Sequence, residues 1–420
     1  MLITSKPLFV YLQRPDTGEW VTVGRYQAGA AGDGYFRYAP SYADAGLSWA
    51  VDPVNLPFQP DVEAAAPRYN GLHDFLRDAC PDGWGQALLR REHNLPQHTP
   101  LVRYLVLASN ADRWGAIAVG TRPKPSVAAL ATPKLPQLYK VIEELAALQA
   151  QQPPIHVQLR RRLMETASVG GARPKATLQD ENGDYWLLKP GLASDIADIP
   201  SLEHFAQHWG ALSGLRFAPT VLHPAQAGRS AVRVLRFDRQ RERRAMCVSA
   251  ASLLQTEYPG NLSNDRWSYP RLAEELRRIG APSQDRRELF GRMVFNAVCG
   301  NDDDHPRNHA IVFDADADAD AGRWRLAPAF DVVPNPADTP PYLAMQLSSG
   351  RFDIARDAVL ADAHRFGFDN REQAATWLDG LLARIAGSFD EAASALDDAW
   401  RGAMAQRLQQ NLSILRGSRV

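Results

Sequence analysis

The stretch Gly300-Asn301-Asp302-Asp303-Asp304-His305-Pro306-Arg307-Asn308, with Asp331 further on in Leu326-Ala327-Pro328-Ala329-Phe330-Asp331, decides how this chain is read. Three successive aspartates repel one another, so the run needs a cation or a solvated turn. Of the three, only Asp303 stands five residues before an asparagine, Asn308. Asp331 follows after an apolar-rich segment, where a further carboxylate can join an amide oxygen on one hard cation. An isolated acidic cluster is ordinarily a solvated surface loop. The matching intervals set this one apart.

That Asp-to-Asn interval is the one protein kinases use in the catalytic loop, where the Asp takes the proton of the substrate hydroxyl and the Asn binds magnesium. Asp303 is therefore expected as catalytic base and Asn308 and Asp331 as magnesium ligands, with His305 orienting the loop; a structural hydrogen bond is the other reading of His305. Zinc is disfavoured there because the only further His or Cys nearby is His309. The run Asp314-Ala315-Asp316-Ala317-Asp318-Ala319-Asp320 looks like a calcium loop, but its glycine is out of register and its terminal Glu is absent. It reads as a solvated turn between Ile311-Val312-Phe313 and Trp324-Arg325-Leu326.

Composition bounds the rest. The 420 residues suffice for two or three domains, and 45% hydrophobic with 23% charged residues is the balance of a soluble globular protein. A formal net charge of -1 supplies no global field toward nucleic acid or an anionic membrane. Cys80, Cys247 and Cys299 are odd in number and far apart, which argues against a disulfide framework or zinc cage and for a reducing compartment. Pro7-Leu8-Phe9-Val10-Tyr11-Leu12 is too short for a signal sequence, and no stretch approaches the roughly 20 apolar residues of a membrane span. The expectation is a cytoplasmic protein with no membrane partner.

The chain begins β-rich. Phe9 to Leu12 and Trp20 to Gly24 flank the turn Asp16-Thr17-Gly18, and Tyr35 to Tyr38 adds another strand. Helical stretches fall between Leu72 and Arg91, broken at Pro81-Asp82-Gly83, and Pro-rich residues 122–136 read as a linker. Leu138 to Leu148 has helical spacing. A Gly-rich segment, Ser168-Val169-Gly170-Gly171-Ala172-Arg173-Pro174-Lys175, then opens a hairpin whose returning strand, Tyr185 to Pro190, carries Lys189. Ser201 is expected to cap a helix with Glu203 in its first turn. Val232 to Phe237 reads as a strand. Leu289 to Val298 forms an apolar stripe ending at Gly300, a helix-stopping residue that delivers the Asp loop. Helices at Glu372 to Leu382 and Ala392 to Leu415 complete an α+β, bilobal, kinase-like order. The expected divisions are a β-rich part over residues 1–125, a nucleotide-binding part over 137–238 and a helical lobe over 239–420.

Gly170 and Gly171 allow close approach of backbone N–H groups to a phosphate, although paired glycines are more often a simple turn. No Gly-Lys-Ser/Thr follows, so this is not a Walker A loop. Lys189 stands where kinases keep the lysine that pairs nucleotide phosphates, and Glu203 is its natural partner; the simpler reading of Glu203 is a charge favoured at a helix start.

Together these residues resemble the HipA family of serine/threonine kinases, the toxin halves of bacterial toxin–antitoxin pairs. Val10-Tyr11, Val23-Gly24-Arg25-Tyr26 and Leu56-Pro57 resemble its small N-terminal β domain. Phe75-Leu76, Pro81-Asp82-Gly83-Trp84 and Gly115-Ala116-Ile117 resemble its recurring helix and strand. The most specific matches are Asn301-x-Asp303-Asp304-His305-x-x-Asn308 and Leu326 to Asp331. The resemblance implies ATP and magnesium as cofactors, with Leu235 and Phe237 contacting adenine. It places Ser168 where family members phosphorylate themselves and fall silent. It also implies a target in translation, an aminoacyl-tRNA synthetase being the usual one, and neutralisation by a helix-turn-helix antitoxin that binds operator DNA. No helix-turn-helix is recognisable in this chain, so DNA is reached only through the partner. A catalytically silent nucleotide- or antitoxin-binding module and a small-molecule kinase are the competing readings; the intact Lys189, Asp303, Asn308 and Asp331 set argues against the first.

Overall fold

The turn at Asp16-Thr17-Gly18 closes the first hairpin because Gly18 takes a positive φ of 77° and its N–H donates to the Arg14 carbonyl. It joins β1 (Leu8–Gln13) to β2 (Trp20–Ala28), and β3 (Gly34–Tyr38) and β4 (Glu63–Ala65) extend the sheet outward. The other edge is β5 (Ile117–Gly120), so the antiparallel order is β4-β3-β2-β1-β5. Central placement explains why nearly all of β1 is buried. The helix Asp74–Asp78 lies wholly buried beside this sheet, with Phe75 edge-on to Phe36 at 5.4 Å. The pairing of β1 with β5, about a hundred residues distant, is not visible in local periodicity.

These observations come from a computed structural model that describes residues 6–29, 32–165, 171–226, 229–258, 265–316 and 323–417. The chain forms two compact units: one comprises Met1–Pro190, Arg236–Val248 and Val312–Asp316, the other Gly191–Leu235, Ser249–Ile311 and Ala317–Val420. The sequence divisions near residues 125–137 and 238 do not coincide with this partition. In the first unit the hairpin of β6 (Ala176–Gln179) and β7 (Tyr185–Pro190) forms as expected, Thr177 opposite Leu187.

A buried ionic network joins distant parts of that first unit. Arg236 makes a fork to both oxygens of Asp238 at 2.8 and 3.0 Å and also bonds Asp112 and, at 2.9 Å, the Thr177 hydroxyl. Asp238 further accepts from the Gly115 N–H at 3.0 Å and from Arg239 at 2.8 Å. Burial would raise the Asp238 pKa, but Arg236 and Arg239 outweigh it and hold the carboxyl well below the usual range. Arg113 and Arg244 point instead at carbonyls, Arg113 at those of Ala79, Leu105 and Ala108 and Arg244 at those of Asn110 and Ala111. Backbone left unpaired by irregular loops is thereby satisfied.

The second unit is built around the helix Ser283–Cys299. From Leu289 to Cys299 every residue is buried, the pattern of a helix enclosed all round. The helices Tyr269–Arg278, Arg371–Gly387 and Asp398–Arg416 pack on it. Phe295 meets Trp209 and Phe217, each at 5.2 Å, and Phe290 meets Phe366 at 5.2 Å and Trp377 at 5.6 Å. Asn411 and Arg407 donate to its last carbonyls, at Ala297, Val298 and Cys299. The final helix begins later than its apolar pattern predicts: Leu396 is extended, and Asp397 caps the helix through the Trp400 N–H at 2.8 Å. Among the described residues no helix is long and apolar enough to cross a membrane.

Asp238→Asn is expected to lower stability by about 3–5 kcal/mol, because it removes one of two buried carboxylates and leaves Asp112 alone to balance Arg236 and Arg239. Urea denaturation of the full chain measures this; a loss under about 1 kcal/mol would show that the network is not energetically coupled.

Candidate active site

Gly300 ends the central helix in the left-handed region, φ 75°, which only a residue without a Cβ adopts freely; a Cβ there would meet the Arg407 side chain at 2.9 Å. The chain turns sharply into Asn301, and the three aspartates that follow are sent to three different environments. Asp302 accepts from Asn335 Nδ2 at 2.9 Å. Asp304 turns inward and is fully buried, accepting from the Tyr269 hydroxyl at 2.7 Å and the Ala344 N–H at 2.8 Å. Asp303 turns outward, its side chain 85% exposed. Divergence of the side chains resolves the repulsion that the sequence posed.

Asp304 anchors the loop. Burial pushes its carboxyl up to about 7, against the hydrogen bonds that favour the charged form. Tyr269 holds it from the helix Tyr269–Arg278, and the same phenol accepts from Asn296 Nδ2 at 2.8 Å. One carboxyl thus links two helices and the segment at Ala344. The sequence marked Asp304 as one of three acids but carried no signal that it was the buried one.

Around Asp303 the predicted residues assemble. Asn308 Nδ2 donates to the Asp303 carbonyl at 2.8 Å, which commits the amide nitrogen and leaves the amide oxygen as the atom suited to a cation. His305 Nε2 lies 3.7 Å from the Asp303 carboxylate and 2.9 Å from the Tyr258 hydroxyl, with the Tyr258 ring 4.3 Å away. Tyr258 in turn stacks on Trp267 at 6.1 Å, a support that sequence spacing did not reveal. Burial lowers the His305 pKa, opposed by Asp303 and Asp331. The protein around Asp303 partly desolvates the carboxyl and raises its pKa; His305 opposes this, while Asp331 and Asp302 add to it.

Asp331 has a φ of 58°, a conformation that Asp tolerates better than most residues. The two residues before it are fixed: Ala329 exchanges backbone hydrogen bonds with Arg216 and Ala218 at 2.8 Å, and Phe330 packs on Ala218, Val232 and Val234. Buried Arg292 braces the approach through the Ala327 and Arg216 carbonyls at 2.7 and 3.1 Å. Among the described residues no group of three or more His, Cys, Asp or Glu side chains is arranged to hold a metal ion. Asn308 and Asp331 are a different kind of set, one amide and one carboxylate. It suits magnesium, which keeps most of its shell as water and phosphate oxygen.

The remaining expected site residues are distributed over both units. Lys189 is buried near the end of β7 in the first unit. In the same unit Gly171 has a φ of 103°, and its carbonyl accepts from the Trp84 N–H at 3.0 Å, so the Pro81-Asp82-Gly83-Trp84 turn supports the Gly-rich segment. Ser168 and Gly170 lie outside the described residues. Phe237, also in the first unit, is half-buried, beyond the end of a strand that stops at Leu235 rather than continuing through it. In the second unit Leu235 is half-buried, its N–H bonded to the Pro219 carbonyl at 2.9 Å. Glu203 is buried there and accepts from Gln207 at 3.0 Å. Its helix is Ile199–Leu212, capped by Asp198 and not by Ser201, which places Glu203 beyond the first turn. Asp198 accepts both the N–H and the hydroxyl of Ser201, outcompeting a weaker hydroxyl cap.

The fold is α+β and kinase-like. It matches a HipA from Shewanella oneidensis MR-1, solved as a toxin–antitoxin complex with HipB and operator DNA, with a TM-score of 0.69 over 98% of this chain and 100% of that one at 17% identity. Residues 167–400 match the HipA-like C-terminal domain, more than half of the chain, and the protein belongs to that family. A candidate kinase of Sinorhizobium fredii, Y4mE, is 28% identical over 251 residues, 54% of this chain. The match spans 56% of the length of that relative.

A carboxyl whose folded pKa lies above its unfolded value is stabilising when protonated, and that contribution is lost as the pH rises from about 4 to about 7. Asp304→Asn, neutral throughout, is predicted to flatten this part of the stability curve. Thermal melts of both proteins between pH 4 and 8 give the difference directly; parallel curves would mean that Asp304 is ionised throughout.

Proposed function

We propose that this protein is an ATP- and magnesium-dependent serine/threonine protein kinase of the HipA type. The observation that carries the reading is the Asp303 loop: an outward carboxylate beside His305, tied to Asn308 and anchored by the buried Asp304. Asp303 orients and deprotonates the substrate hydroxyl, and His305, held by Tyr258, keeps that carboxylate in place. Asn308 and Asp331 would hold a magnesium ion, which would supply positive charge to balance the transferring phosphoryl group. Lys189, Glu203, Gly170, Gly171, Leu235 and Phe237 are the residues proposed for ATP, Lys189 for its phosphates and Leu235 and Phe237 for its adenine. In this reading residues 1–125 are a β-rich part, 137–238 carry the nucleotide-binding residues and 239–420 the catalytic ones.

Family membership supports the finer proposals. The substrate is a cytoplasmic protein, with an aminoacyl-tRNA synthetase as first candidate, and its modification arrests translation and growth. Phosphorylation of Ser168 silences the enzyme, because about -1.5 to -2 added charges on a phosphate-binding loop repel the nucleotide. A helix-turn-helix antitoxin is the expected partner, as HipB is for the Shewanella protein, and operator DNA is reached through it.

Incubation with labelled ATP and a cytoplasmic lysate tests the activity: a labelled protein band is expected, a labelled metabolite would indicate a small-molecule kinase, and no labelled product would defeat the catalytic reading. Asp303→Asn should abolish transfer, a loss of at least about a hundredfold, while leaving nucleotide affinity nearly unchanged. Asp331→Ala should weaken magnesium-dependent ATP binding as well as turnover, because a carboxylate ligand is lost. Calorimetric titration of ATP with and without magnesium separates the two; an Asp331→Ala protein that binds Mg-ATP as tightly as the parent excludes Asp331 as a ligand.

A further inference from the structure

The N-terminal sheet carries a row of residues in register across all five strands: Gly120, Phe9, Arg25, Arg37 and Glu63. Arg25 and Arg37 are therefore direct cross-strand neighbours, an arrangement in which like charges destabilise the pairing. Among the described residues neither guanidinium has an ion-pair or hydrogen-bond partner, although Glu63 lies next in the row. The Arg37 Nε is closed off from solvent and unbonded, which leaves a cationic donor without an acceptor. Both arginines line a cavity of ≈ 610 Å³ whose other walls include Phe9, Tyr38, Tyr42 and Leu47. The Tyr38 and Tyr42 side chains are buried in the core, their hydroxyls bonded to the Leu56 and Trp49 carbonyls, so the aromatic surface beside the two arginines is the half-buried ring of Phe9, which shares their row. The rim is fixed where the Thr22 hydroxyl bonds the Pro123 carbonyl.

We propose that this cavity is a binding site for a small organic anion, an aromatic body bearing one carboxylate or phosphate group. The volume falls within the range of about 300–1,000 Å³ typical of small-molecule sites. An anion between Arg25 and Arg37 removes their repulsion and gives the Arg37 Nε its acceptor, with the planar guanidinium suited to two parallel hydrogen bonds. The ligand body packs on Phe9, the ring in the same row as the two arginines. All of these residues lie outside the phosphoryl-transfer machinery, so the site stands or falls independently of that reading.

The test titrates the intact chain with phenyl phosphate and, separately, phenylacetate, following heat and melting temperature. Saturable one-to-one binding of at least one compound at up to about millimolar concentration is expected, weakened about tenfold or more in both Arg25→Gln and Arg37→Gln. Preference for phenyl phosphate identifies a phosphomonoester, and preference for phenylacetate a carboxylic acid. Without ligand, Arg25→Gln should melt no lower than the parent, because it relieves a like-charge pair, which separates lost binding from lost folding. Arg37→Lys keeps the charge but not the planar fork and should bind less tightly than the parent. Absence of binding by either compound, or affinity unchanged in the two glutamine variants, overturns the proposal; the second outcome would assign the anion to another site.

Discussion

The buried carboxyl of Asp304 is the constraint on which the candidate site rests. A side chain of this kind is tolerated inside a protein only with hydrogen-bond partners of good geometry, and its partners come from separate elements. Tyr269 reaches it from one helix and is itself held by Asn296 of the central helix, while the Ala344 N–H approaches from another segment. The loop cannot rotate without breaking these bonds together. Because Asp303 is the preceding residue, the inward commitment of Asp304 fixes the direction in which Asp303 leaves the surface. An exposed carboxylate thus acquires a defined orientation from a neighbour that does not face the solvent.

The first unit solves a comparable problem with arginine. The loop between Ser109 and Gly115 and the ends of two helices, at Ala79 and at Leu105 to Ala108, present carbonyls that arginines satisfy. Arg113, Arg239 and Arg244 supply several donors each in a fixed plane, which a lysine could not reproduce. Burying Arg236 and Arg239 requires counter-charge, and Asp112 and Asp238 provide it. The result ties the Asn110 loop, the β6 strand through Thr177 and the Arg236 segment into one polar cluster. Replacement of the cluster by apolar residues could preserve volume but not the carbonyl bonds.

Local sequence signals were legible where they are local in physical origin. The hairpin at Gly18, the break at Pro81-Asp82-Gly83 and the helix ending at Gly300 all follow from φ preferences that single residues impose. The all-round burial of Leu289 to Cys299 goes beyond the apolar stripe read from sequence, since Arg292 and Asn296 are polar yet enclosed. Neither the β1–β5 pairing nor the Arg236 network could be read, because both depend on residues more than a hundred positions apart. The helix start at Ile199 was misassigned for a subtler reason: Asp198 and Ser201 are both good caps, and only the backbone geometry decides between them.

The candidate site shows the same division. Spacing singled out Asp303, Asn308 and Asp331, and the structure ties the first two together through the Asn308 amide and the Asp303 carbonyl. It could not identify Tyr258, whose contact with His305 spans 47 positions. Nor could it give Asp331 its backbone conformation. A residue with positive φ directs its side chain differently from an extended one, so the neighbouring hydrogen bonds of Ala329 and the packing of Phe330 help to aim the carboxylate. Replacing Phe330 with a smaller apolar residue would remove packing from Ala218, Val232 and Val234 while leaving every charged group in place. The aim of Asp331 is therefore set partly by a hydrophobic contact.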